Sequence, residues 1–333
     1  MGVDNAQSAP VPVGLLGLGK HGTRYLEHIR RDVPGLEVVA ISRQDVERGR
    51  AQARELGVRF HDSAEGLVGD PGVRAVVSVV PPTLNAAIVA SCIAESKPLL
   101  IEKPFATDAD AAFDLRDRLE RSGLPCLVAQ TLRLSAVVKR VEEWAAELGS
   151  LHQILLSQSF EPSRLDWLDD PRRAGGGNIL HTGVHMFDLL RHLGGEVLEA
   201  SCLLDRVVTH HTEDSFSASF RLAGPGGNLL GAAAGSRTTP GRAGSIRIVG
   251  EKGQIVADHV LGSLSWIEGR RIVRQEEKAD LPTVRILLEE FVAVARGEAA
   301  PSITPRDGAA AVAIADACYR SAEAGRTMAV RRE

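Results

Sequence analysis

The spacing Gly17-Leu18-Gly19-Lys20-His21-Gly22 constrains this chain more than any other feature. It stands between an apolar run, Val11–Leu16, and a helical pattern at residues 23–31. A strand that turns at once into a helix needs glycine's backbone freedom at the first position. The second glycine lets the backbone approach a ligand, and the third lets helix and strand pack closely. The first N–H groups of such a helix have no partner within it, and its dipole favours an anion there. The loop therefore predicts a pyrophosphate site for a dinucleotide, with Gly17, Gly19, Lys20, His21 and Gly22 around it.

The alternation continues down the chain. Short apolar runs at 36–42, 75–80, 98–102 and 125–130 are separated by helical patterns at 46–56, 84–96 and 109–122. Strict alternation predicts a parallel sheet with right-handed crossovers, hence a Rossmann α/β domain over residues 11–131 after a flexible tail at 1–10. After a helix at 136–148 the texture changes. Strands at 153–160, 199–208, 215–222, 228–236, 245–250 and 254–258 are joined by turns. Gly224-Pro225-Gly226-Gly227 and Glu251-Lys252-Gly253 are hairpin signals. These predict an α+β domain over 132–333 with a largely antiparallel open sheet, closed by helices at 287–296 and 307–323. A chain of 333 residues suits two domains.

A formal net charge of −4 gives no basic footprint for nucleic acid or a membrane surface. No apolar run reaches spanning length, and the N-terminus lacks the order of a signal peptide, so the expected location is cytoplasmic. Cys92, Cys126, Cys202 and Cys318 have neither metal-ligand spacing nor the pattern of a disulfide framework. They read as buried small apolar residues.

Three segments carry candidate chemistry. At the second strand tip, Ile41-Ser42-Arg43 lacks the carboxylate that would accept from a ribose 2′-hydroxyl. Arg43, with Ser42 beside it, suits a 2′-phosphate, which favours NADP over NAD. The alternative leaves Arg43 solvated and has Asp45 reaching back. Glu102-Lys103-Pro104 ends the fourth strand, on the side where open α/β sheets bind ligands. The proline restricts Lys103 to extended geometry. Finally, Gly175-Gly176-Gly177 reads as a flexible lead-in to Asn178, an N-cap, and to an apolar helix ending at Gly194-Gly195. His181, His185, Asp188 and His192 share one face of that helix by spacing. The two histidines and Asp188 could ligate a metal, but no Glu follows His181 and the expectation is that no metal is bound.

In this order, the glycine loop, Lys97-Pro98, Glu102-Lys103-Pro104, the triple glycine before a His-bearing helix, and a closing helix from Pro305-Arg306-Asp307-Gly308 resemble the Gfo/Idh/MocA (glucose–fructose oxidoreductase / inositol dehydrogenase) family. The resemblance spans nearly the whole chain. It implies hydride transfer between a nicotinamide and a hydroxyl or keto carbon of a sugar, cyclitol or derivative. It also places Lys103 and His185 at the substrate hydroxyl. A histidine suits removal of the hydroxyl proton, and a lysine stabilises developing alkoxide charge. The third member of the implied catalytic set is His181, which stands where the family usually has an Asp. Pro81, Asn85, Glu102, Lys103 and Gln130 join the cofactor set, with Asn85 where the family often has a His. Arg133 and Trp167 join Lys103, His181 and His185 in the substrate set, with an interface contact or a structural salt bridge as the other readings of Arg133. The family habit implies a homodimer or homotetramer built through the antiparallel sheet. The His181 departure keeps open a second reading, an inactive NAD(P)-binding sensor of the same fold.

Overall fold

A computed structural model describes residues 9–224, 226–279 and 281–332. Most of the expected tail, residues 1–8, and Pro225 of the expected hairpin turn lie outside the described residues. The chain forms two compact units. The first runs to Glu102 and adds Leu115–Ala129 and Val284–Pro305; the second holds Lys103–Asp114, Gln130–Thr283 and Arg306 onward.

In chain order the first part comprises β1 (Val11–Leu16), α1 (Lys20–Arg31), β2 (Leu36–Ser42), α2 (Val46–Leu56), β3 (Arg59–His61), α3 (Ala64–Val68), β4 (Ala75–Ser78), α4 (Asn85–Ala94), β5 (Leu99–Ile101), α5 (Ala109–Ser122) and β6 (Cys126–Val128). The six strands are parallel in the order β3-β2-β1-β4-β5-β6. This is the Rossmann order, and it reverses between β1 and β4, where such sheets bind ligands at the strand ends. β4, β5 and β6 are buried at every residue. Their near-continuous apolar sequence follows from helices covering both faces of a parallel sheet. Asp45 starts α2 by accepting from the Arg48 N–H at 3.1 Å, and Gly57 stops it at φ 70°. The segment at 284–305 belongs to this unit: Val128 N–H donates to the Ile303 carbonyl at 3.0 Å. β3 has no counterpart in the sequence reading. Three residues with one apolar side chain are too few to show a period of two.

The second unit continues with α6 (Ala136–Ala145), β7 (Leu151–Ser159), α7 (Pro171–Ala174) and α8 (Val184–Gly194). There follow β8 (Glu196–Asp205), β9 (Ser215–Gly224), β10 (Gly227–Ser236), β11 (Ala243–Gly250), β12 (Gly253–Asp258), β13 (Ser263–Glu268) and β14 (Arg271–Glu277). The chain closes with α9 (Thr283–Ala295), α10 (Pro305–Ala324) and β15 (Met328–Ala329). Nine strands form one sheet in the order β14-β13-β12-β11-β7-β10-β9-β8-β15. Only β7 and β10 pair in parallel; the other neighbours are antiparallel.

Alternation marks the inner face of this sheet: Phe216, Ala218, Phe220 and Leu222 of β9 are buried. Phe187 of α8 meets Phe216 and Phe220 edge-on at 5.8 and 5.6 Å, and Trp144 of α6 meets Trp266 at 6.3 Å. Trp144 thus serves the core. The hairpin expected at Glu251-Lys252-Gly253 forms, with Gly253 at φ 148° and a Cβ there 2.5 Å from the Ile267 carbonyl oxygen. The sheet extends two strands beyond the expected limit at residue 258. β14 is largely exposed and charged, so burial left no apolar alternation in its sequence.

Candidate functional site

The glycine loop of the first unit is built as its spacing predicts. Gly17 sits at φ 84°, where a Cβ would lie 2.2 Å from the Val79 carbonyl oxygen. A Cβ on Gly22 would lie 1.8 Å from the Gly17 carbonyl oxygen, so neither position admits a side chain. A Cβ on Gly19 would meet nothing within 4 Å, which leaves this face open to a ligand. Gly17 N–H donates to the Ser42 carbonyl at 3.0 Å, locking the loop to the tip of β2. α1 begins at exposed Lys20, has no acid in its first turn, and among the described residues no side chain caps it. Its first N–H groups and positive dipole end therefore suit a pyrophosphate, and the residues present fit a dinucleotide.

Glu102 supports this loop from below. One of its carboxylate oxygens accepts from Tyr25 Oη at 2.6 Å and His21 Nε2 at 2.7 Å. Burial and the neighbouring Glu102 carboxylate push the Tyr25 phenol well above its usual pKa, so it remains a donor. Arg43 donates through Nη1 to the Leu18 carbonyl at 3.0 Å and to Gln52 Oε1 at 2.8 Å. The Asp45 carboxylate caps α2 and does not reach back to the strand tip. Ser42 is buried, Pro81 precedes a single 3-10 turn at Pro82–Leu84, and Asn85 is buried as the first residue of α4. The sequence reading missed Ser78. Its buried hydroxyl, at the end of β4, has no hydrogen-bond partner among the described residues. A polar residue closing an otherwise apolar strand was the available signal.

The second unit gathers the remaining candidates. Lys103 Nζ donates to the His181 carbonyl at 2.7 Å. That carbonyl lies in a π-helical turn, Ile179–Gly183, which leads into α8. The expected single helix is thus interrupted, and its four polar residues meet different partners. His181 Nε2 donates to the Ala174 carbonyl at 3.0 Å, and its ring stands edge-on to Trp167 at 5.5 Å. Asp188 pairs with Arg133, and His192 lies 3.2 Å from Glu142. Burial, then the charges of Lys103 and Arg237, lower the His181 pKa to about 3, so the imidazole is neutral. His185 follows on the first turn of α8, half-buried. Among the described residues no cluster of three or more His, Cys, Asp or Glu could hold a metal.

Packing bears on three expectations. Of its readings Arg133 takes the structural salt bridge and not the substrate contact: its fork grips Asp188 through Nε and Nη2 at 2.6 and 2.5 Å, with Asp307 at 3.1 Å. Arg133 is buried, and Arg191 Nη1 donates to the same Asp307 oxygen at 2.6 Å, so this is an internal ion-pair network. The triple glycine is tightly packed, not flexible. Gly175 sits at φ 77°, a Cβ on Gly176 would meet Tyr319 Oη at 2.3 Å, and one on Gly177 the Glu213 carbonyl oxygen at 2.0 Å. Asn178 makes no capping bond; its Nδ2 donates to the Asp214 carbonyl at 3.0 Å.

Glu213 does what a cap would. Its carboxylate accepts from the Gly177 and Ile179 N–H groups at 3.0 and 2.8 Å and from Tyr319 Oη at 2.8 Å. Asp169 similarly clasps the loop N–H groups of His210, His211 and Thr212. These anchors come from distant sequence, and local pattern could not find them. Gln130 is buried, with Oε1 lacking a partner among the described residues.

Comparison with known proteins decides what such a chain is. Residues 11–130 match the family model described as "Oxidoreductase family, NAD-binding Rossmann fold", and residues 145–330 match its "C-terminal alpha/beta domain". The chain belongs to the Gfo/Idh/MocA oxidoreductase family. Inositol 2-dehydrogenase 1 of Saccharopolyspora erythraea is 30% identical over 331 residues, 95% of each chain. Myo-inositol 2-dehydrogenase of Thermotoga maritima is 26% identical over 74% of this chain and 75% of its own. Levoglucosan dehydrogenase in complex with NADH superposes with a TM-score of 0.87 at 20% identity, covering 97% of this chain and 100% of that one. An NAD binding oxidoreductase from Klebsiella pneumoniae gives 0.85 at 18% identity, with 98% and 100% covered. As a family member the chain is an NAD(P)-dependent oxidoreductase. Among the described residues, no helix of this Gfo/Idh/MocA protein is long and apolar enough to cross a membrane.

Proposed function

We propose that this oxidoreductase moves a hydride between NADP and a hydroxyl-bearing carbon of a sugar, cyclitol or derivative. Residues 11–131 hold the cofactor, and 132–333 hold the substrate and mediate self-association. The names of the inositol dehydrogenase relatives support the substrate class. The observation that carries the catalytic assignment is Lys103, whose ammonium is fixed on the His181 carbonyl at 2.7 Å. It follows directly on Glu102, the residue that braces the glycine loop. A positioned ammonium stabilises the negative charge that grows on the substrate oxygen. His185 takes the hydroxyl proton as the carbon is oxidised and returns it in reduction. The nicotinamide, when bound, accepts or supplies the hydride. His181, neutral and holding its Nε2 proton on the Ala174 carbonyl, positions Lys103 through its own carbonyl and takes no part in the proton transfer. NADP is favoured because Arg43 is the charged group at the β2 tip while Asp45 is occupied in capping α2. The test is nicotinamide absorbance with NADP or NAD over a panel of sugars and cyclitols, with Lys103→Ala as the control.

A further inference from the structure

The second unit holds a cation that the proposed reaction does not use. Arg237 follows β10, and its N–H donates to the Asp214 carbonyl at 2.9 Å. Asn178 Nδ2 donates to the same oxygen at 3.0 Å. Arg237 is thereby held beside the residue that opens the π turn carrying His181. Two polar atoms are left over at this spot: Arg237 Nε and Asn178 Oδ1 are both buried without a hydrogen-bond partner among the described residues. The neighbouring carboxylate, Glu161, is held by the fork of Arg242, with Arg242 Nε at 2.7 Å. Among the described residues no side chain or carbonyl accepts from the Arg237 guanidinium.

A buried guanidinium N–H without an acceptor is costly, and native folds satisfy such groups; Glu161 supplies charge to Arg237 but accepts from Arg242. Lys103 supplies a second positive charge, fixed on the His181 carbonyl. Asn178, which shares the Asp214 carbonyl with Arg237, stands three residues before His181, and both cations lower the His181 pKa. His181 is a neutral imidazole, so the charges that Lys103 and Arg237 bring to this turn are both positive.

We infer that Arg237 and Lys103 form a cationic subsite beside His181, and that the preferred substrate is a sugar or cyclitol bearing a carboxylate. The guanidinium donates charge-assisted hydrogen bonds to the carboxylate while Lys103 remains on the reacting oxygen. This rests on the proposed hydride transfer and names the substrate class for it.

The experiment pairs neutral and acidic sugars of one configuration: galactose with galacturonate, and glucose with glucuronate. Turnover is followed by nicotinamide absorbance in the wild type, Arg237→Gln and Arg237→Lys. The wild type is expected to favour an acid over its neutral partner in kcat/KM by about tenfold or more, the scale of one charge-assisted contact. Arg237→Gln lowers that acid-to-neutral ratio at least about tenfold, mainly through KM, and Arg237→Lys restores part of it. An unchanged ratio in Arg237→Gln, or a wild type that prefers the neutral sugars, overturns the subsite. Thermal shift with cofactor present separates this from failure of the reaction itself. If no sugar is turned over, acid-specific stabilisation that disappears in Arg237→Gln still supports the subsite, and its absence refutes it.

Discussion

His181 shows how one residue's environment decides its role. Burial and two nearby cations hold it at about 3, against 6.5 for an ordinary histidine. The folded state therefore binds fewer protons at this site than the unfolded chain. Its stabilising contribution is complete above pH 6.5 and is lost as pH falls from 6.5 towards 3, at about 1.4 kcal/mol per unit. His181→Gln keeps a donor for the Ala174 carbonyl and removes the titration. Urea unfolding across this range is expected to show a shallower acid loss in the variant; parallel curves would contradict the assignment. Arg43 allows an equally local test. Arg43→Ala is expected to lower the NADP-to-NAD ratio of kcat/KM by about tenfold or more, the scale of a lost phosphate contact, and an unchanged ratio would refute the preference. At this scale the sequence showed residue types but not their partners. Lys103 and Gly17 were legible because motif and strand end coincide. Arg133 stays open between substrate contact and salt bridge in the sequence because its partners, Asp188 and Asp307, lie 55 and 174 residues away.

The decisive element is the segment from Gly175 through the π turn into α8. Its shape comes from contacts with Glu213 and Tyr319, which leave room only for hydrogen at Gly176 and Gly177. Gly177→Ala drives a methyl group against the Glu213 carbonyl and is expected to cost about 3 kcal/mol, at the upper end of overpacking. Gly123→Ala, at φ 67° with nothing within 4 Å, is the comparison and costs about 1 kcal/mol for its backbone angle alone. Denaturant unfolding of both distinguishes packing from conformational strain: equal losses would show that the glycine segment is not packed as described. Triple glycine in a sequence suggests freedom. Here it marks close approach, which local pattern cannot distinguish from flexibility. β14 was illegible for another reason, since an exposed edge strand keeps few apolar residues. β4, β5 and β6 were legible because both their faces are buried.

For the whole molecule, alternating apolar runs and helical patterns specified five of the six strands of the parallel sheet, and turn signals specified the antiparallel character of the second. The parallel β7–β10 pairing and the assignment of 284–305 to the first unit depend on long-range packing and left no sequence mark. The outer face of the nine-stranded sheet carries a row of small side chains in register, Ser217, Ala234, Ser157 and Ser245, beside Leu203, which is 77% exposed. We propose that this flat face mediates self-association. Sedimentation is expected to give a dimer or tetramer that Leu203→Asp weakens, and a wild-type monomer would contradict it. The central claim is hydride transfer at a sugar or cyclitol carbon, with Lys103 at the reacting oxygen. The most direct measurement is nicotinamide absorbance over the sugar and cyclitol panel with wild type and Lys103→Ala. The account predicts turnover of at least one substrate by the wild type, and a loss of about 10²-fold or more in kcat for Lys103→Ala with cofactor affinity retained. Tight cofactor binding without turnover of any substrate, or full turnover by Lys103→Ala, would contradict it.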